Sequence, residues 1–325
     1  MGVKDLNKIL KAKCKNSIKM ISLDELFDKD IVIDISIYLY KFLSENALIE
    51  NMYLMLSIFN YYNIRPLFVF DGKPPPEKKK LLIQRIKDKK KAEIEYNNLK
   101  EQLNDNAICL QYKKEIITNM DILKKQFIYI KKEEIDKVKE LICSFGASYI
   151  NASGEADELC AMLVIENKVW ACLSEDSDMF VYGCTRILRY FSLLNHTMVL
   201  YDMKNILNEL EINQRVFREI CILSGTDYNE NFNKNTLYLE NSLQLYKKFS
   251  DSKENEDIDF YHWLYTNENC NANDYELLKK IYSIFDLSKS KLTLWEFENI
   301  SIVKGIRSSE KIREILKEDG FIFPI

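Results

Sequence analysis

Two short stretches of the chain, Ile31-Val32-Ile33-Asp34-Ile35 and Pro66-Leu67-Phe68-Val69-Phe70, are apolar and β-branched or aromatic almost throughout. This is the pattern of strands buried on both faces, where no alternation with polar residues is needed. Between them, residues 36–62 place Leu39, Phe42, Leu43, Leu54, Ile58 and Phe59 at helical spacing. Strand, helix, strand implies a parallel pair. The unit recurs: Ala147 to Ile150 predicts a strand, Gly154 to Glu166 a helix and Val169 to Leu173 a second buried strand. Further strands are predicted at Ile187 to Phe191 and Met198 to Tyr201, followed by a helix near Gln214 to Leu223. Such a body is α/β, and its ligands should gather at the carboxyl ends of the strands.

Residues 76–145 interrupt this pattern with a Lys- and Glu-rich helical stretch that has no Gly and only Pro76. A segment of that length is no simple crossover, so a helical insertion standing above the sheet is predicted, with Glu133 to Phe145 docking back onto it. Beyond Tyr228 the composition shifts to Asn, Lys and Glu, and Asn229 to Asn235 and Asp251 to Asp257 read as loops. The remainder to Ile325 reads as helical, with no recognisable chemistry.

At 325 residues the chain can hold two units, or one catalytic body with an appendage. Hydrophobic residues at 47% and charged residues at 30% give the balance of a soluble globular protein. No run of 18 apolar residues suggests a spanning helix. Lys4, Asp5 and Lys8 make the amino terminus unlike a secretory signal, and Leu6 stands where myristoylation wants Ser or Thr. The eight cysteines (14, 109, 143, 160, 172, 184, 221 and 270) form no C-x-x-C pair and sit mostly in apolar runs. They read as reduced core thiols of an intracellular protein.

The net charge is only −4, so bulk electrostatics do not announce a nucleic-acid partner. Distribution says more. Between Lys73 and Lys91 nine Lys or Arg face two acids, a local charge of 9 − 2 = +7. The acids that follow apolar strands or begin helices are Asp34, Asp71, Glu155, Asp157, Asp176, Asp178 and Asp227. In a parallel sheet these positions converge on one edge. Each close pair would repel by about 1 kcal/mol in bulk water and about 4 kcal/mol at an effective dielectric near 20, so the cluster needs cations. Its all-oxygen character points to Mg²⁺ or Mn²⁺ rather than zinc. With only His196 and His262 in the chain, a histidine zinc site or imidazole base is disfavoured. Two hard cations could activate water and stabilise the leaving oxygen of a phosphodiester.

Taken singly, each acid has a plainer reading. Glu155, Asp157 and Glu158 could favour a helix start capped by Ser153, and Asp176 and Asp178 could be turn residues. Asp34 and Asp71 resist that reading, because a carboxylate at an apolar strand end is desolvated without local gain. Lys78 and Arg85, seven residues apart, share one helix face. The alternative for the surrounding lysines is a solvated face, and for Tyr40 it is core packing.

At these residues the chain resembles the XPG/flap-endonuclease family. Met1-Gly2-Val3-Lys4-Asp5-Leu6, Ile33-Asp34-Ile35-Ser36-Ile37-Tyr38-Leu39-Tyr40, Val69-Phe70-Asp71-Gly72-Lys73-Pro74-Pro75, Ala152 to Asp157, Glu175 to Asp178 and Leu223 to Tyr228 match its motifs in order. The resemblance implies a PIN-like, mostly parallel sheet flanked by helices, with a helical arch at about 86–132 and a helical carboxyl-terminal region. It implies an N-terminal-type region at 1–107, an internal-type region at 133–230 and a divergent region at 231–325. It makes the seven acids metal ligands for two Mg²⁺, with Mn²⁺ able to substitute. It makes Lys78 and Arg85 the pair that contacts the scissile phosphate, and Gly2, Tyr40 and Lys73 substrate-binding residues. The implied activity is structure-specific 5′ cleavage of flaps, nicks or gaps in DNA repair or replication, with branched or nicked DNA as partner, a monomeric state and a site of action such as the nucleus. Alternatives are a bubble, junction or RNA-directed nuclease, or a catalytically silent nucleic-acid-binding scaffold. Two departures stand out: no glycine lies between Gly225 and Gly305, where the family has a glycine-rich, ion-binding hairpin, and Asp319 to Ile325 is no sliding-clamp peptide.

Overall fold

The computed structural model describes residues 2–103, 110–228, 239–252, 258–268, 272–289, 300, 302 and 305–323. The segment Asn229 to Asn235, read above as a loop, lies outside them, as do Cys109 and Cys270. One seven-stranded sheet organises the chain. Its strands are β1 (Ile18–Ser22), β2 (Asp30–Asp34), β3 (Arg65–Phe70), β4 (Ser148–Asn151), β5 (Ala171–Leu173), β6 (Arg186–Ser192) and β7 (Thr197–Asp202), in the order β1-β7-β6-β5-β2-β3-β4. The five strands from β4 to β6 are parallel, whereas β7 and β1 join antiparallel at one edge. Both halves of the chain therefore contribute to one sheet, with β2 pairing β3 on one side and β5 on the other.

Side-chain alternation divides the apolar strands between two cores. Val32, Leu67, Val69, Cys172, Ile187 and Tyr201 point to one face. Ile31, Ile33, Phe68, Phe70, Leu173, Leu188 and Met198 point to the other. A strand covered on both faces has no polar positions to spare, which is why β2 and β3 read as unbroken apolar runs. The first core is covered by helices α1 (Leu6–Lys13), α7 (Ala156–Ile165), α8 (Asp178–Tyr182), α9 (Met203–Glu209) and α10 (Gln214–Ser224), joined by α11 (Leu239–Asp251), α12 (Phe260–Asn267) and α13 (Ala272–Phe285). The second is covered by α2 (Ile35–Ser44), α3 (Leu48–Tyr61), α6 (Lys132–Ser144) and α14 (Ser309–Glu318).

Three features depart from the sequence pattern. The helical stretch 36–62 is two helices, broken where Asn46 takes the left-handed conformation at φ 53°. Strand β1 and helix α1 were not predicted. Met20, in the middle of β1, is exposed, so this edge strand carries neither an unbroken nor a cleanly alternating pattern.

The insertion comprises α4 (Lys79–Gln102) and α5 (Leu110–Lys124), packed together with Ala92, Ile116 and Leu123 buried. It is held where Lys89 Nζ donates to the Ile128 carbonyl at 2.8 Å and lies 4.9 Å from the ring of Tyr40. The chain then returns to the body through α6, against which α14 packs, with Ser308 N donating to Ser144 O at 2.8 Å. Among the described residues no helix is long and apolar enough to cross a membrane. The described cysteines are free thiols, all buried except Cys143.

Candidate active site

The carboxyl ends of β2, β3 and β5 lie side by side, and each is followed by an acid. Asp34 ends β2 and caps α2: its Oδ1 accepts the Ser36 amide at 3.3 Å and its Oδ2 the Ser174 hydroxyl at 3.0 Å. Asp71 follows β3, accepting the Ser36 hydroxyl at 2.6 Å and, at 2.9 Å, the Ala156 amide at the start of α7. Ser36 thus bridges the two acids. Gly72 makes that placement possible. Its amide donates to Gly154 O at 2.7 Å, and a Cβ on Gly72 would collide with the Ala152 carbonyl and approach Ser153 O to 2.8 Å.

Glu155 stands at the N-cap position of α7 without a side-chain capping bond, and Asp157 lies in the first turn. Beyond β5, the Asp178 amide donates to Asp176 Oδ1 at 3.0 Å, and the Asp176 amide donates to Ser174 Oγ at 3.1 Å. Both acids are buried, and Asp178 Oδ1 has no hydrogen-bond partner among the described residues. Asp227, after α10, accepts the Gly2 amide at 3.1 Å. Gly2 has φ 78° and is wedged into the cluster: a Cβ there would lie 2.6 Å from Asp178 Oδ1 and 2.8 Å from Asp176 Oδ1. The chain thus brings its second residue and its two hundred and twenty-seventh together across the acids.

Two basic side chains enter the same cleft, Lys78 from a 3₁₀ turn (Pro76–Lys78) that leads into α4 and Arg85 from α4 itself, so they do not share one α-helix as the spacing predicts. Lys78, only 6% exposed, places Nζ 2.8 Å from Glu155 Oε1. Arg85 Nη2 lies 2.8 Å from Asp227 Oδ2. Tyr40 and Lys73 do not reach the acids. Tyr40 is 44% exposed, which removes the core-packing alternative, and its ring stands beside Lys89, in the middle of α4. Lys73 is exposed, its amide donating to Ser153 O at 3.3 Å. Sequence reasoning passed over Ser36, Ser174 and Tyr228. The Tyr228 hydroxyl donates to Glu155 Oε2 at 2.8 Å while its ring faces Lys78 Nζ at 4.9 Å. Its position directly after Asp227 was the only available signal.

The electrostatics follow from this crowding. Burial, then the charges of Asp71 and Asp176, push the Asp34 carboxyl up to about 7 against the Ser174 and Ser36 hydrogen bonds. Burial, then the charge of Asp34, raises Asp157 well above the usual carboxylate range, and burial followed by Asp176 does the same for Asp178. For Lys78, burial favours the neutral amine, but Glu155, Asp178 and Asp157 together hold it as the cation and raise its pKa.

Acids that resist ionising together, an all-oxygen donor set and the unpaired Asp178 Oδ1 fit a hard divalent cation. Among the described residues no three donors are already closed round one point as a finished cage. Lys78 and Arg85 each neutralise one acid instead.

Comparison with known proteins places this arrangement. The model of the XPG N-terminal domain matches residues 1–92 and that of the XPG I-region residues 146–227. Flap endonuclease 1 of Lodderomyces elongisporus is 29% identical over 250 residues, covering 71% of this chain and 62% of the relative. The probable RAD2-like endonuclease 369L of Invertebrate iridescent virus 6 is 28% identical over 284 residues, covering 71% and 68%. In fold, the chain is similar to the catalytic core of Rad2 in complex with DNA substrate, with a TM-score of 0.67 at 22% identity over 98% of this chain and 95% of that one. With both XPG regions in order and all seven acids at the carboxyl edge of one mostly parallel sheet, the chain belongs to the XPG/flap-endonuclease family.

Proposed function

We propose that this protein is a structure-specific 5′ nuclease that hydrolyses DNA phosphodiesters at flaps, nicks or gaps. The observation that carries this reading is the convergence of seven acids on one cleft, with Asp178 Oδ1 unpaired and Lys78 and Arg85 reaching in. Asp34, Asp71, Glu155, Asp157, Asp176, Asp178 and Asp227 would share two Mg²⁺, for which Mn²⁺ can substitute. Bound there, the ions would supply Lewis-acid stabilisation of the phosphate and acidify the attacking water.

The chain's own groups do the rest. Lys78 and Arg85 exchange Glu155 and Asp227 for the non-bridging oxygens of the scissile phosphate. Arg85 offers a planar fork suited to phosphate. Gly2, having no side chain, lets backbone rather than bulk line the cluster. The exposed Tyr40 ring offers a stacking face for a base and Lys73 a charge for the backbone. The regions 1–107 and 133–230 form one nuclease unit that acts as a monomer wherever DNA is replicated or repaired. With no glycine between Gly225 and Gly305, duplex binding is weaker or differently built than in the family. Potassium bound at residues 229–235 would contradict that assignment.

The test is cleavage of a 5′-labelled flap duplex with Mg²⁺, with EDTA, and by Asp176→Ala. Metal-dependent product near the junction that disappears in the variant is expected. Binding of the same DNA without any cleavage would move the scaffold reading forward. Bubble, four-way-junction and RNA substrates assign the preferred structure.

A further inference from the structure

Neither family model reaches beyond Asp227, so the role of the carboxyl-terminal helices has to be read from their contacts. One of them reaches the site. The fully buried ring of Phe285, the last residue of α13, meets Tyr228 edge-on with centroids 5.4 Å apart and Tyr182 at 4.9 Å. Tyr228, so braced, spends its hydroxyl on Glu155 Oε2 at 2.8 Å and its ring face on Lys78 Nζ at 4.9 Å, and Lys78 Nζ completes the triangle at 2.8 Å from Glu155 Oε1. The same helix touches the other flank: Lys280 Nζ lies 3.6 Å from Glu77 Oε1, one residue before Lys78. Arg218 of α10 fixes the end of α13, donating to the Tyr282 hydroxyl at 3.3 Å and pairing with Asp286 at 3.9 Å.

A half-buried carboxylate with one hydroxyl and one ammonium partner has few ways to move. Remove the hydroxyl and Glu155 keeps only the long, rotatable Lys78. We propose that Phe285 and Tyr228 are positioning residues through which the divergent carboxyl-terminal region sets the orientation of Glu155 and Lys78, an inference that rests on the nuclease reading. Neither residue touches the reacting atoms. They act on the groups that do.

The experiment uses the full chain with Tyr228→Phe, Phe285→Leu and the double variant. Tyr228→Phe keeps the ring under Lys78 and loses only the hydroxyl, so it does not depend on Phe285→Leu folding well. Three quantities are measured: Mn²⁺ affinity without DNA by electron paramagnetic resonance, flap-DNA affinity in EDTA, and the single-turnover cleavage rate. Each single variant is expected to weaken Mn²⁺ binding and slow cleavage by roughly 10- to 100-fold, the range for partners of metal ligands, while DNA affinity stays near wild type; Tyr228→Phe also keeps the wild-type melting temperature, whereas Phe285→Leu lowers it by leaving space in the core. Because the two residues act along one path, the double variant should be no worse than the worse single variant. Wild-type Mn²⁺ affinity in Tyr228→Phe overturns the inference, as do effects that multiply in the double variant. If the wild type binds Mn²⁺ but cleaves no substrate, the nuclease reading fails on its own, and the Mn²⁺ affinities still decide the positioning role.

Discussion

Asp34 shows what burial and neighbouring acids do to a carboxyl in this cleft. Its carboxyl titrates near 7 in the folded protein against an ordinary value near 3.8, because burial and Asp71 oppose ionisation. The folded state therefore holds this proton more tightly than the unfolded state does. The stability it contributes is full below about pH 4 and is lost as the pH rises through about 7. Asp157 and Asp178, also raised, act in the same sense. In EDTA the melting temperature should fall across that window, Asp34→Asn should flatten the fall, and Mg²⁺ should offset it by binding the ionised cluster. A metal-free melting temperature independent of pH there would contradict the electrostatic account. For the two cations the expectation is kinetic: Lys78→Ala or Arg85→Ala should slow single-turnover cleavage by more than it weakens flap binding. An unchanged rate would remove that residue from the reaction.

Among the elements, the junction between β3 and α7 carries the most constraint. Gly72 extends the β3–β4 pairing past the end of the sheet, its amide on Gly154 O and that of Lys73 on Ser153 O, and so delivers Asp71 to the amide of Ala156. Gly72→Ala forces a methyl against the Ala152 carbonyl, which is backbone and cannot rotate away. A cost of about 1–3 kcal/mol is expected, as for other overpacked sites, with a loss of cleavage larger than the loss of stability alone produces. Thermal melting together with the single-turnover rate measures both. The paired helices α4 and α5 are the opposite case. They bury Ala92, Ile116 and Leu123 but expose Ile83, Ile86, Ile94, Ile117 and Ile122. Their amides should exchange hydrogen faster than those of α7, whose apolar positions lie within the first core.

For the molecule as a whole, the net charge of −4 opposes DNA while the +7 segment Lys73 to Lys91 attracts it. Binding of flap DNA should accordingly be steep in salt, with a slope of about −0.9 per neutralised phosphate on duplex. Charge reversal at Lys87 and Lys90, which form no ion pair among the described residues, should reduce that slope. A slope unchanged by the reversal would place the duplex elsewhere on the surface.

The sequence alone determined the central strands and the positions of the seven acids, because a strand buried on both faces leaves an unbroken apolar run and an acid at its end stands out. The shared helix face expected for Lys78 and Arg85 does not form as such, because Lys78 closes a 3₁₀ turn just before α4, yet both side chains reach the acids. What tertiary structure alone decided is everything that joins distant residues. The break at Asn46 depends on one backbone conformation, and β1 is a strand because β7 offers it an edge. Gly2 meets Asp227 across 225 positions. The roles of Ser36 and Ser174 as hydroxyl donors to the exposed Asp71 and the buried Asp34, and of Tyr228 as the link between Glu155, Lys78 and Phe285, leave no periodic trace. Local pattern records which face of an element is buried, whereas which atoms then meet is set by how the two halves of the chain close on one sheet.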